Sequence, residues 1–215
     1  MNTIAPGKII LTFSLIFLLI VLLYPFRSAE NQNSFITAAQ NNRSPVSVKV
    51  FQFISSTSSV VTYGLALLIY VTGAGKLKHS KRPLEVFLFI IASTVIAGLL
   101  SLLVKDTLHA LRPYEVDKHI AKLSEGGGFS FPSGHSAEAF ALATSMFLVL
   151  TQRWVAGLIL LWSATVAWSR IYLGVHYPLD VIAGIAIGAF TSWCAYYFVT
   201  THHIHIFNNK LLKDD

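Results

Sequence analysis

The sequence predicts an all-α, polytopic membrane protein. Of its 215 residues, 54% are hydrophobic and 12% charged, half the charged share of about 25% usual in soluble domains. The apolar residues fall in blocks near the length of a bilayer crossing, separated by polar segments. A single cysteine, Cys194, excludes a disulfide scaffold. High hydrophobicity with low charge excludes disorder. A crossing helix takes about 20 apolar residues, so the chain's stock supplies at most about six. That leaves no room for a soluble second domain, and residues 1–215 read as one transmembrane domain. The net charge of +6 suits a protein facing anionic head groups. The basic residues are scattered and no nucleic-acid motif occurs, so membrane lipids are the expected partners and nucleic acid is not.

The elements follow in order. Ile9 to Phe26 is apolar apart from Thr12 and Ser14. It is longer than a signal-peptide core of about 7–15 residues and no good cleavage site follows, so it reads as an uncleaved first span. Arg27 to Lys49 is polar and reads as a loop with a short interfacial helix. The second span, about Ser58 to Thr72, is the weakest, opening on Ser and Thr. Gly73 to Pro83 is a basic loop with Lys76, Lys78, Lys81 and Arg82. Val86 to Val104 is a clean third span. Lys105 to Pro132 is polar, with a flexible Gly126-Gly127-Gly128. The fourth, fifth and sixth spans are Ser136 to Leu150, Trp154 to Tyr172 and Leu179 to Val199. Tyr24, Trp154, Trp168, Tyr172, Tyr177, Tyr196 and Tyr197 read as interface anchors.

Six spans put both termini on one side. Lys and Arg divide eight against eight between the two sides. Setting aside Lys105, Arg112 and Arg170, which have functional reasons to be where they are, leaves eight against five. The positive-inside rule then places the termini in the cytoplasm and the 105–132 loop outside a cell membrane.

Ionisable residues at span ends are costly and need a reason. Lys105 closes the third span, and Arg112-Pro113 follows. Pro132-Ser133-Gly134-His135 opens the fourth. Ser169-Arg170 closes the fifth, and His176 and Asp180 enter the sixth. Alternating spans bring all of them to one membrane face. Three cations and a glycine-bearing helix start suit a phosphate: Arg binds its oxygens bidentately, Lys adds a point charge, and the helix start offers free N–H groups. His176 and Asp180 stand about one helical turn apart. The carboxylate can hold one ring nitrogen and leave the other lone pair to attack phosphorus. His135 can protonate the departing oxygen.

These residues carry a family resemblance. Lys105-x6-Arg112-Pro113, Pro132-Ser133-Gly134-His135 and Ser169-Arg170-x5-His176-x3-Asp180 are similar, at every fixed position and spacing, to the three motifs of the type 2 phosphatidic acid phosphatase (PAP2) superfamily. The motifs span about residues 105–180, and the six spans fit the family's membrane branch. The resemblance implies His176 as nucleophile through a phosphohistidine, oriented by Asp180. It implies His135 as general acid and then base. Lys105, Arg112, Arg170, Ser133 and the Gly134 amide would hold the phosphoryl group, with Ser169 and Pro113 in support. The cations supply the electrostatic work, so no metal or cofactor is called for.

Glu138 lies outside the fixed pattern and reads as an ordinary acid near a helix start. His109, His119, Glu115, Asp117, Lys118 and Lys122 read as a solvated loop face. Cys194 and Trp162 read as packing, and His202, His203 and His205 as a loose tail. The expected activity is hydrolysis of a lipid phosphomonoester or pyrophosphate: a polyprenyl pyrophosphate first, with phosphatidylglycerophosphate and phosphatidic acid close behind. The alternatives are a lipid phosphotransferase, or a non-catalytic lipid-phosphate binder or transporter. The family's soluble vanadium haloperoxidases are disfavoured by the apolar spans.

Overall fold

A computed structural model describes Tyr24, residues 29–74 and residues 83–201. The rest of the expected first span, the basic residues of the 73–83 loop and the three tail histidines lie outside the described residues. Within them are six helices of 13 residues or more and one single turn. These are α1 Ala29–Asn41, α2 Pro45–Thr72, α3 Pro83–Leu108, the turn α4 Pro113–Val116, α5 Gly134–Val149, α6 Arg153–Tyr172 and α7 Pro178–Thr201.

Four of them, α2, α3, α6 and α7, are long and apolar enough to cross a bilayer. The expected fourth span is α5. At 16 residues it rises about 24 Å, short of the roughly 30 Å hydrocarbon core. It is the centre of the bundle, packed against α7, α3, α6 and α2. Leu99, Leu103, Leu161 and Val71 point outward and are exposed, as lipid-facing residues must be.

One element departs from the sequence reading, the start of the second span. The polar stretch after Arg27 contains the short helix expected there, the 13-residue α1, beside α6. Gln40 near its end is buried and stitches distant backbone, donating to Ala121 O and Tyr172 O and accepting from Ala121 N. The second span begins at Pro45, 13 residues earlier than expected. Ser44 caps it in a capping box with Ser47, and Pro45 takes the first helical position, where a missing N–H costs nothing. The Ser/Thr run is no obstacle, because Ser56, Thr57 and Ser58 donate to carbonyls of their own helix.

Small residues bring α5 and α7 close. A Cβ on Gly184 would lie 2.4 Å from Ser133 O, and one on Gly188 would lie 2.2 Å from Ala137 O. This is the small-xxx-small spacing that lets apolar helices touch backbone to backbone. Ser192 Oγ donates to Ala141 O at 2.8 Å and Ser163 Oγ to Ala139 O at 2.8 Å. These bonds between helices satisfy polar groups that hydrocarbon cannot. Tyr24, Tyr172 and Tyr177 are buried core residues rather than interface anchors. Trp154 and Trp168 are exposed, as anchors should be.

Candidate active site

The ends of α3, α5, α6 and α7 meet at one end of the bundle. Lys105, Arg112, Gly134, His135, Arg170 and His176 line one cavity there of about 450 Å³. A second cavity, between Gln52–Ser56 and Lys122–Glu125, shares His135 and Arg170 with it. The expected convergence of the three motifs is therefore observed.

His176 sits in the short link between α6 and α7, fixed by its backbone. Its N–H and that of Val175 both donate to Arg170 O at 3.2 Å. Gly174, at φ +73°, makes the turn before it; a Cβ there would meet Ala121 O at 2.4 Å. The His176 ring is buried with Nδ1 3.4 Å from Asp180 Oδ2 and Nε2 3.5 Å from Arg112 Nη1. Asp180 is itself held: Ser130 Oγ donates to Oδ2 at 2.5 Å, and Tyr177 N–H at 2.9 Å. With Asp180 accepting from Nδ1, the Nε2 lone pair faces the cations. Burial, then the fields of Lys105, Arg170 and Arg112, hold the imidazole well below its ordinary pKa.

Arg112 precedes the turn α4. Its backbone N–H donates to Glu115 Oε2 at 2.7 Å, and Pro113 occupies the first position of the turn. Its guanidinium donates to Gly127 O and Val175 O at 2.7 Å and to Gly128 O at 3.0 Å. A Cβ on Gly126 would lie 3.1 Å from Arg112 Cζ. The glycine run is thus the arginine's cradle, where the sequence suggested only a flexible loop. Lys105 Nζ donates to Phe129 O at 2.7 Å and Ser130 O at 3.2 Å. Arg170 Nη1 donates to Ser55 Oγ on α2, and its buried Nε has no acceptor among the described residues.

Ser133 is buried as the N-cap of α5, where its Oγ accepts from Ser136. Its N–H donates to Asp180 O at 2.9 Å, tying the histidine-bearing helix start directly to α7. Beside Gly134 a Cβ would meet nothing within 4 Å, so the backbone there is open to the cavity. Ser169 Oγ donates to Val166 O within its own helix and does not line the cavity. Glu138 departs from its expected role as an ordinary helix-start acid: it lines the cavity and accepts from Ser59 Oγ. Ser130, Ser55 and the glycine carbonyls were not singled out from sequence. Their partners lie as far as 115 positions away, where spacing gives no signal. Exposed His119 pairs with Asp117 at 3.0 Å, as a loop residue would.

A model of the PAP2 superfamily matches residues 86–204. The chain belongs to the PAP2 superfamily. A lipid A 4'-phosphatase of Bacteroides thetaiotaomicron is 42% identical over 93 residues, 40% of this chain and 41% of that protein. The match thus spans less than half of that relative. An undecaprenyl-diphosphatase of Sulfolobus acidocaldarius is 28% identical over 68% of this chain and 75% of its own. The crystal structure of a transmembrane PAP2-type phosphatidylglycerolphosphate phosphatase from Bacillus subtilis superposes with a TM-score of 0.70. It is 23% identical and covers 93% of this chain and 98% of that one.

Proposed function

We propose that this PAP2 protein is a membrane phosphatase that removes the terminal phosphate of a lipid phosphomonoester or pyrophosphate. The observation that carries the reading is the buried His176: Asp180 on one ring nitrogen, Arg112 beside the other, in a cavity shared with His135, Lys105 and Arg170. The phosphoryl group sits against Arg112, Arg170, Lys105 and the Gly134 backbone. The Nε2 lone pair of His176 attacks phosphorus. The bond from phosphorus to the lipid oxygen breaks, and His135 gives that oxygen its proton. A water molecule then attacks the phosphohistidine while His135 takes its proton. The nitrogen–phosphorus bond breaks, inorganic phosphate leaves, and His176 is restored. Asp180 stabilises the cationic ring through both steps. The cations do electrostatic work where charge develops.

The lipid-phosphatase relatives support the substrate class. So does a site at the end of a lipid-facing bundle, where a head can enter while its tail stays in the membrane. On this reading the chain crosses six times, with the segment 9–26 and α5 completing the set. Its termini are cytoplasmic and its site faces outward, by the charge bias of the loops.

Phosphate release by the detergent-purified protein, with EDTA present, tests the proposal. Phosphatidic acid, phosphatidylglycerophosphate and a polyprenyl pyrophosphate are offered to the wild type and to His176→Ala. The expected result is release from at least one lipid, lost in the variant. No release in water, but transfer to an added lipid alcohol, would make the protein a phosphotransferase. Binding with neither would make it a carrier.

A further inference from the structure

One acidic side chain in the cavity has no part in the chemistry above. Glu138 stands one turn after His135 on α5 and lines the same wall as Arg112, Arg170 and His176. Ser59 Oγ of α2 donates to its Oε2 at 3.1 Å. Its Oε1 accepts no hydrogen bond among the described residues. That oxygen lies 3.2 Å from where a Cβ on Gly98 of α3 would be. One helix thus carries the carboxylate, a second orients it, and a third leaves it room. A carboxylate inside a bundle of this kind is costly unless it faces water, a partner or a ligand.

Its place decides what it meets. His135 serves the leaving oxygen, and three residues further along a helix is a rise of about 4.5 Å. Leu102, exposed on the apolar outside of α3, lines the same cavity as Glu138. A lipid with its phosphate at the cations and its tail leaving beside Leu102 carries its first few atoms past Glu138. An ionised carboxylate offers acceptors only. It pairs with a hydroxyl or an amide N–H, and it repels an anion. The other acids of this wall, Asp106 and Glu125, are exposed and do not share that place.

We propose that Glu138 is a specificity-determining residue. It selects lipid phosphomonoesters bearing a hydroxyl or amide N–H beside the phosphorylated carbon. It disfavours pyrophosphates, whose leaving group is itself an anion. The inference rests on the lipid-phosphatase reading and narrows it to a substrate class. Specificity here combines one attraction with one repulsion.

The test reads equilibrium binding, so it does not depend on turnover. Three non-hydrolysable ligands are titrated into the full chain in detergent: a plain alkyl phosphonate, the same phosphonate with a neighbouring hydroxyl, and an alkyl methylene-bisphosphonate. The wild type binds the hydroxyl ligand about tenfold tighter than the plain one, the scale of one charge-assisted hydrogen bond. The bisphosphonate gains nothing from its extra charge. In Glu138→Gln the bisphosphonate tightens about tenfold relative to the plain ligand. In Glu138→Ala the hydroxyl preference is lost. Shifts that move all three ligands equally, or ratios unchanged in both variants, overturn the proposal. If Glu138→Gln does not fold, Ser59→Ala decides: it must lower the hydroxyl preference about threefold, and an unchanged preference refutes the idea. Phosphate release is measured beside binding. Turnover with flat binding ratios sinks this inference alone, whereas intact ratios without turnover sink only the phosphatase reading.

Discussion

Replacing Gly184 with Ala tests how closely α5 and α7 must approach for the site to form. The new Cβ would stand 2.4 Å from Ser133 O and 3.0 Å from Ser136 Cβ, where ordinary contact begins near 3.4 Å. Ser133 O is also the acceptor of the first hydrogen bond of α5, from Ala137 N at 3.0 Å. Neither carbonyl nor helix start can swing aside as a side chain can. The two helix starts must part by about 1 Å, and an error of that size between reacting groups costs about a hundredfold in rate. The parting separates His135 on α5 from Asp180 on α7 and from His176, which Asp180 holds. Overpacking also lowers stability by about 1–3 kcal/mol, so turnover is measured well below the apparent melting temperature. The control is Gly157→Ala on α6, where a Cβ meets nothing within 4 Å. Gly184→Ala is expected to lose about a hundredfold in kcat, with the control essentially unchanged. Turnover within a few-fold of wild type in Gly184→Ala would refute the claim that backbone contact here sets the catalytic geometry.

Three further predictions concern the site itself. Arg112→Lys cannot span the carbonyls of Gly127, Gly128 and Val175 that the guanidinium joins; kcat/KM is expected to fall about a hundredfold, or roughly 3 kcal/mol. Steady-state phosphate release checks it, and a loss under fivefold would contradict the arginine's double role. Ser130→Ala removes the hydroxyl that donates to Asp180 Oδ2, and an approximately tenfold drop in kcat is expected, the scale of a hydrogen bond to a charged group. Undiminished kcat would show that the carboxylate needs no such support. The third concerns pH: His176 titrates near 6.5 in the unfolded chain and well below it when folded. Between those values the unfolded state binds more protons, so stability is full above about 6.5 and declines as pH falls. The apparent melting temperature should drop more steeply from pH 7.5 to 5 in the wild type than in His176→Gln, and parallel slopes would contradict a buried neutral histidine.

The third, fifth and sixth spans were legible because apolar blocks with few charges leave little choice of conformation. The polar stretch after Arg27 showed a short helix but not its anchor, since Gln40 acts on backbone more than 80 positions away. The early start of α2 was written in Ser44-Pro45-Val46-Ser47, a cap and a first-turn proline, but the following hydroxyls masked it. The motif residues came together as the alternation of spans requires. What holds them was hidden: Ser55 on Arg170, Ser130 on Asp180, the glycine carbonyls on Arg112. Such contacts join segments far apart in the chain and follow from packing. Glu138 was visible as an acid beside the motif. Only the approach of Ser59 and Gly98 from two other helices reveals that it faces the cavity.

The central claim is that His176 takes the phosphoryl group. A labelled lipid phosphate mixed with the purified protein and quenched within milliseconds tests it directly. The account predicts label on the wild-type protein in an acid-labile nitrogen–phosphorus linkage, mapped by mass spectrometry to His176 and absent from His176→Ala. Phosphate release at the wild-type rate by His176→Ala, or label mapped to another residue, would contradict it.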